Sequence, residues 1–297
     1  MSLSSSIRTG ANRLNHIHSQ LQYASSSTMS HSCCFSGYFH KGTPKGSVSQ
    51  FGPHNVDTYI TGPEPDQASG AILFICDVFG ISLNNNRVIA GANTHYYAQH
   101  TGARVYVPDF FDKRDAFTQL NGLPMNAPEN KDVIPKFLAE FNPRANRSFE
   151  LARDAARAIK QAHPGKKLAV IGFCWGAPAS MHLGSEDPPV DSRADAVGWA
   201  HPSLIEVPGD LKKLTKPGVF LTCEKDPRLS SEQRHTVEEE MNKLAEKQIY
   251  TTLQYFPGVS HGWSIRGDEQ NEFVARAARD AHRTASDFFS VEFRGNQ

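Results

Sequence analysis

Excess charge of either sign is missing from this chain: 31 lysines and arginines stand against 31 aspartates and glutamates in 297 residues. A surface without net charge has no field to draw nucleic acid or an anionic bilayer, so neither is expected as a partner. No unbroken apolar run reaches about 18 residues, the length that a helix crossing a bilayer needs. Cysteine is sparse, at positions 33, 34, 76, 174 and 223. The odd count, with no CxxC pair and no Cys/His group at ligand spacing, argues against a zinc site and fits a reducing compartment. No metal and no cofactor is expected. Internal repeats are missing too, and nothing after Gly70 has the composition of a linker. Acidic residues are absent before Asp57, while Arg8 and Arg13 sit among Ile7, Leu14, Ile17 and Leu21. Residues 1–32 therefore read as an extension: disordered, a start-site extension, or a mitochondrial targeting segment. The expected location is the cytoplasm, with the mitochondrion as the alternative this N-terminus raises. Residues 33–297 are long enough for one domain with a substantial core.

What is present is organised around Gly172-Phe173-Cys174-Trp175-Gly176. The apolar run Lys167-Leu168-Ala169-Val170-Ile171 ahead of it predicts a buried strand, and Ala177, Ala179 and Ser180 after it predict a helix start. A residue held between the two needs a very tight turn, and glycine two positions before and two after removes the Cβ atoms that would collide there. This is the Gly-x-nucleophile-x-Gly elbow with cysteine in the central place. It sets Cys174 at a helix N-terminus, which favours a thiolate and an oxyanion beside it. By itself the pattern also fits a buried cysteine in an ordinary strand-to-helix turn.

Further strands are expected at Ala71-Ile72-Leu73-Phe74-Ile75-Cys76, Arg104 to Pro108, Ala196 to Ala200, Gly218 to Thr222 and Ile249 to Phe256, the last ended by Pro257-Gly258. Helical spacing appears over Asn84 to Gln99, Asp132 to Phe141, a stretch opening at Asn146 as N-cap, one opening at Ser230 with Gln233 in a capping box, and Asp268 to Phe289. The segment from Phe110 to Pro128 has no clean period and reads as a loop, where substrate lids are common. Short apolar strands alternating with helices predict an α/β fold with a mostly parallel central sheet and helices on both faces.

In such sheets ligands gather at the carboxyl ends of the strands. Three chemistry-bearing residues follow predicted strands: Cys174, Asp226 in Glu224-Lys225-Asp226-Pro227, and His261 in Gly258-Val259-Ser260-His261-Gly262. Nucleophile, acid, histidine is the order in which α/β-hydrolases supply their triad. A thiol near pH 7 is mostly protonated, so His261 would take its proton and return it to the leaving group, while Asp226 would hold the imidazole tautomer. Asp77 ends the first strong strand, and the backbone N–H groups of Val78 and Trp175 are the expected oxyanion hole. His201 also follows a strand end, as a pocket residue or a rival base; Trp175 and Trp263 flank the triad as pocket walls or core.

Together these residues resemble the dienelactone hydrolase family, α/β-hydrolases with a cysteine nucleophile. The carriers are Cys33-Cys34 with His40-Lys41-Gly42-Thr43-Pro44, Asp77-Val78-Phe79-Gly80, Val107-Pro108-Asp109-Phe110-Phe111, the elbow itself, and His261-Gly262-Trp263-Ser264-Ile265-Arg266-Gly267-Asp268. The paired cysteines and His201-Pro202-Ser203 make it similar to the eukaryotic, especially fungal, branch. The resemblance implies an α/β-hydrolase fold and a hydrolase that opens a lactone or activated ester through an acyl-enzyme on Cys174. It also implies a cysteine-modulating acid at Asp77, shorter by one methylene than the family's glutamate. Arg266 would bind a substrate carboxylate with a second cation, Lys113 or Arg114. The small-molecule lactone or ester would be the partner of a monomer or homodimer. Two alternatives remain open: a non-catalytic α/β-hydrolase-like protein that binds a small ligand, and a redox sensor using Cys174.

Overall fold

The computed structural model describes residues 37–91, 96–120, 127–130 and 132–295. The extension over 1–32, the Cys33-Cys34 pair and the turn residues Asn121, Gly122 and Pro124 lie outside them. Two short strands, β1 (Ser47–Phe51) and β2 (Val56–Thr61), form a leading antiparallel hairpin. The sheet continues with β3 (Ala71–Ile75), β4 (Arg104–Pro108), β5 (Leu168–Phe173), β6 (Ala196–Ala200), β7 (Gly218–Lys225) and β8 (Thr251–Ser260). Its order is β1-β2-β4-β3-β5-β6-β7-β8, antiparallel as far as β4 and parallel from β4 onward.

β3, β5 and β6 are buried at every residue, which is why their sequences are continuously apolar rather than alternating. They need cover on both faces. Two groups of helices supply it. α5 (Asn146–Ala162) and α6 (Ala177–Leu183) pack on each other and on the central strands. The long closing helix α10 (Glu272–Arg294) lies over β6, β7 and β8 and packs against α2 (Tyr97–Thr101) and α9 (Trp263–Arg266). The remaining helices are α1 (Asn84–Gly91), α3 (Ala116–Gln119), α4 (Val133–Glu140), α7 (Gly209–Lys212) and α8 (Ser231–Glu246). Among the described residues no helix is long and apolar enough to cross a membrane.

Several boundaries differ from the pattern reading. The helix expected over Asn84 to Gln99 is two pieces, α1 and α2, on either side of residues 92–95. α5 takes Ala145, not Asn146, as its N-cap, and α10, capped by Asn271, opens at Glu272, four residues beyond the expected start. β8 runs through Pro257-Gly258 to Ser260 instead of stopping before them. An edge strand tolerates proline because one side of its ladder needs no donor, and a register shift between Cys223 and Lys225 takes up the irregularity. That extension carries the chain to His261.

Candidate active site

The elbow at the end of β5 is built by its glycines. A Cβ on Gly172 would meet the Gly176 carbonyl oxygen at 2.2 Å, and one on Gly176 would meet the Ile75 oxygen at 2.4 Å. Both positions are therefore closed to any other residue. Cys174 between them has φ of 49°, a left-handed conformation that residues with a Cβ rarely adopt. Strained backbone of this kind collects at functional sites, where it projects one side chain out of the sheet edge.

Asp226 and His261 reach the same edge from neighbouring strands. The β7–β8 ladder pairs Lys225 with Ser260, and the His261 amide donates to the Lys225 carbonyl at 3.1 Å, so the two residues that follow lie side by side. His261 Nδ1 is 2.9 Å from Asp226 Oδ1, with both side chains buried. The Arg228 amide donates to the same carboxylate oxygen at 2.9 Å. An acceptor on Nδ1 fixes the ring with its proton there and its Nε2 lone pair turned the other way.

Within hydrogen-bond distance of both that Nε2 and the sulfur is a residue to which the sequence alone assigns no role. Ser203 Oγ is 3.3 Å from Cys174 Sγ and 3.5 Å from His261 Nε2, and the Ser203 amide donates to the Cys174 carbonyl at 2.9 Å. Its only sequence signal was membership of His201-Pro202-Ser203 after β6. Line-up of the two strand ends, with Phe173 opposite Ala200, brings it to the elbow.

His201 is fully buried, its ring 5.1 Å edge-on from that of His261. Its Nε2 lies 2.8 Å from Ser264 Oγ, which in turn offers its carbonyl to His282 Nε2 at 2.7 Å. Trp263 packs on His201 and Phe256, and Trp175 donates its indole N–H to the Phe141 carbonyl among Phe110 and Phe111, so both tryptophans are buried and packed in the core.

Asp77 and Arg266 form a buried ion pair. Asp77 also accepts from the Phe79 amide at 3.2 Å and Asn86 Nδ2 at 3.1 Å, and the guanidinium lies 4.7 Å above the Phe79 ring. The shorter acid is thus directed at the arginine. Lys113 pairs with Asp57 beside the β1–β2 hairpin, and Arg114 with Asp112 and Glu140. The other two described thiols are poor rivals for Cys174. Burial first, then Asp109 and Asp115, pushes Cys76 well above the ordinary thiol range; burial first, then Asp226, pushes Cys223 up. No group of His, Cys, Asp or Glu among the described residues has the arrangement of a metal site.

Comparison with known proteins places this geometry. The model of the dienelactone hydrolase family matches residues 56–293, from β2 to the last turn of α10. The chain belongs to the dienelactone hydrolase family. Among its relatives, "Dienlactone hydrolase 1" of Gibberella moniliformis is 32% identical over 238 residues, covering 79% of this chain and 83% of that protein. "Hydrolase tropI" of Talaromyces stipitatus is 26% identical over 267 residues, covering 88% and 96% respectively. A putative dienelactone hydrolase from Klebsiella pneumoniae has the same fold, with a TM-score of 0.58 at 16% identity over 82% of this chain and 99% of that one. This dienelactone hydrolase family member is accordingly a hydrolase of carboxylic ester or lactone bonds on an α/β-hydrolase scaffold.

Proposed function

We propose that the chain cleaves a small lactone or activated ester through Cys174 as nucleophile, by way of an acyl-enzyme. The observation that carries this reading is the hydrogen bond of His261 to Asp226 at 2.9 Å beside a cysteine in left-handed backbone at a glycine-clamped elbow. His261 withdraws the thiol proton, and the sulfur adds to the substrate carbonyl. The backbone N–H groups of Trp175 and Val78 receive the oxyanion; contact of Gly176 with the Ile75 oxygen supports this, because it holds the elbow against the end of β3. Collapse breaks the acyl–oxygen bond, and the imidazolium returns its proton to the departing oxygen. Water, deprotonated by His261, then hydrolyses the thioester.

Ion pairing of Arg266 with Asp77 supports an uncharged substrate over one bearing a carboxylate, because the guanidinium charge is already matched inside the protein. A screen over p-nitrophenyl esters, neutral enol-lactones and carboxylate-bearing enol-lactones, with Cys174→Ala as blank, tests the reading. Turnover of the neutral members, blocked by iodoacetamide and absent from Cys174→Ala, is expected. Full activity in that variant would reject the mechanism.

A further inference from the structure

We propose that the Ser203 hydroxyl is the bridge over which the proton of Cys174 reaches His261, making Ser203 a fourth catalytic residue; this rests on Cys174 being the nucleophile. Three observations converge on it. Oγ lies 3.3 Å from the sulfur and 3.5 Å from Nε2, within hydrogen-bond distance of both the donor and the acceptor of the first proton transfer. The residue is held there by its own amide, which donates to the carbonyl of Cys174 and ties the two backbones together. And it is buried, 5% exposed, between side chains that are themselves buried, so bulk water does not compete for the position.

A hydroxyl is suited to this because it donates and accepts at once. In the forward step the Sγ–H bond breaks as a new O–H bond forms on Ser203, and the original O–H bond breaks as N–H forms on His261. The hydroxyl is regenerated, the sulfur keeps its electron pair as thiolate, and the imidazole becomes imidazolium. When the thioester is later hydrolysed the same two bonds are exchanged in reverse and the thiol is restored. The 3.5 Å separation is at the outer limit of a hydrogen bond, and contacts of this kind shorten in the substrate complex. Asp226 takes Nδ1 of His261, and the His201 ring meets His261 edge-on while bonding Ser264.

Two variants of equal shape separate the hydroxyl from packing: Ser203→Thr keeps it and Ser203→Val replaces it with methyl. On an activated ester, Ser203→Val should lose about 100-fold in kcat with KM within twofold, and Ser203→Thr should stay within about fivefold of wild type. The rate of acylation in H2O/D2O mixtures should curve with deuterium fraction in wild type and Ser203→Thr, where two protons move, and be linear in Ser203→Val. Ser203→Ala, which adds no atoms, repeats the measurement if valine disturbs the fold. Equal kinetics for the threonine and valine forms, or a curved dependence that survives in the valine and alanine forms, would overturn the bridge. Alkylation of Cys174 by iodoacetamide gives a reading without turnover: it should slow in Ser203→Val and not in Ser203→Thr. If Cys174→Ala retains hydrolysis, the nucleophile assignment fails, while the alkylation comparison still answers for Ser203.

Discussion

Two buried aspartates end parallel strands at the same rim of the sheet, and their partners divide them. Asp77, after β3, meets the guanidinium of Arg266, a group that keeps its charge at every accessible pH. Asp226, after β7, meets an imidazole, a group that can take up and release a proton. Each carboxylate also takes a backbone N–H two residues on, from Phe79 and Arg228. Residue type, burial and topological place are shared. What separates the two is whether the partner can change protonation.

Substitution by the neutral isostere should break the comparison apart most sharply. Asp226→Asn leaves the fold in place and should lower kcat by about 1,000- to 10,000-fold, because the amide no longer enforces the Nδ1–H tautomer. Asp77→Asn should change kcat by less than about tenfold, measured on the same ester. Equal losses in the two variants would erase the distinction.

Stability should show the reverse order. Asp77→Asn strands a buried guanidinium and should cost about 3–5 kcal/mol in denaturant unfolding, as loss of one member of a buried pair does. Adding Arg266→Met should recover most of that, leaving the double variant more stable than Asp77→Asn alone.

Acid titration sharpens the same contrast on a third buried group. His282 of α10, bonded to the Ser264 carbonyl and next to the Tyr97 hydroxyl, is lowered to about 4, first by burial and then by the charge of His40, against the raising effect of its bond to Ser264. The unfolded chain binds this proton near pH 6.5 and the folded chain does not, so stability is complete above that pH and falls as pH drops from 6.5 to about 4. The loss should approach about 3 kcal/mol at the lower end. His282→Asn should flatten that part of the profile.

The smallest effect belongs to Ser230, four residues beyond Asp226. Its hydroxyl accepts from the Gln233 amide at 3.2 Å, and the Gln233 side chain accepts from the Ser230 amide at 3.0 Å. Ser230→Ala should cost about 1 kcal/mol, a few degrees in Tm, with kcat unchanged. A large fall in kcat would mean that the Asp226 loop leans on the helix cap.

How much of this could be read beforehand follows from the range of the forces involved. The elbow was legible because Gly172 answers a clash within four residues, although Gly176 answers to Ile75 on another strand, and the Ser230 box because it closes within three. The apolar strands were legible because burial on both faces leaves no alternation to misread. The placement of Ser203 was not, since it depends on the alignment of β5 with β6, which a linear pattern does not encode. The partner of Asp77 lies 189 residues away, across the turn of α9. Proline marked a strand end at 257 only under the assumption of an interior strand, and β8 is an edge.

The left-handed backbone at position 174 also limits what this position can become. A β-branched residue is a genuine outlier at such φ, so threonine is shut out although it carries a hydroxyl. Unbranched serine and cysteine remain the reactive candidates. The position can exchange sulfur for oxygen, but it has no room for a second branch.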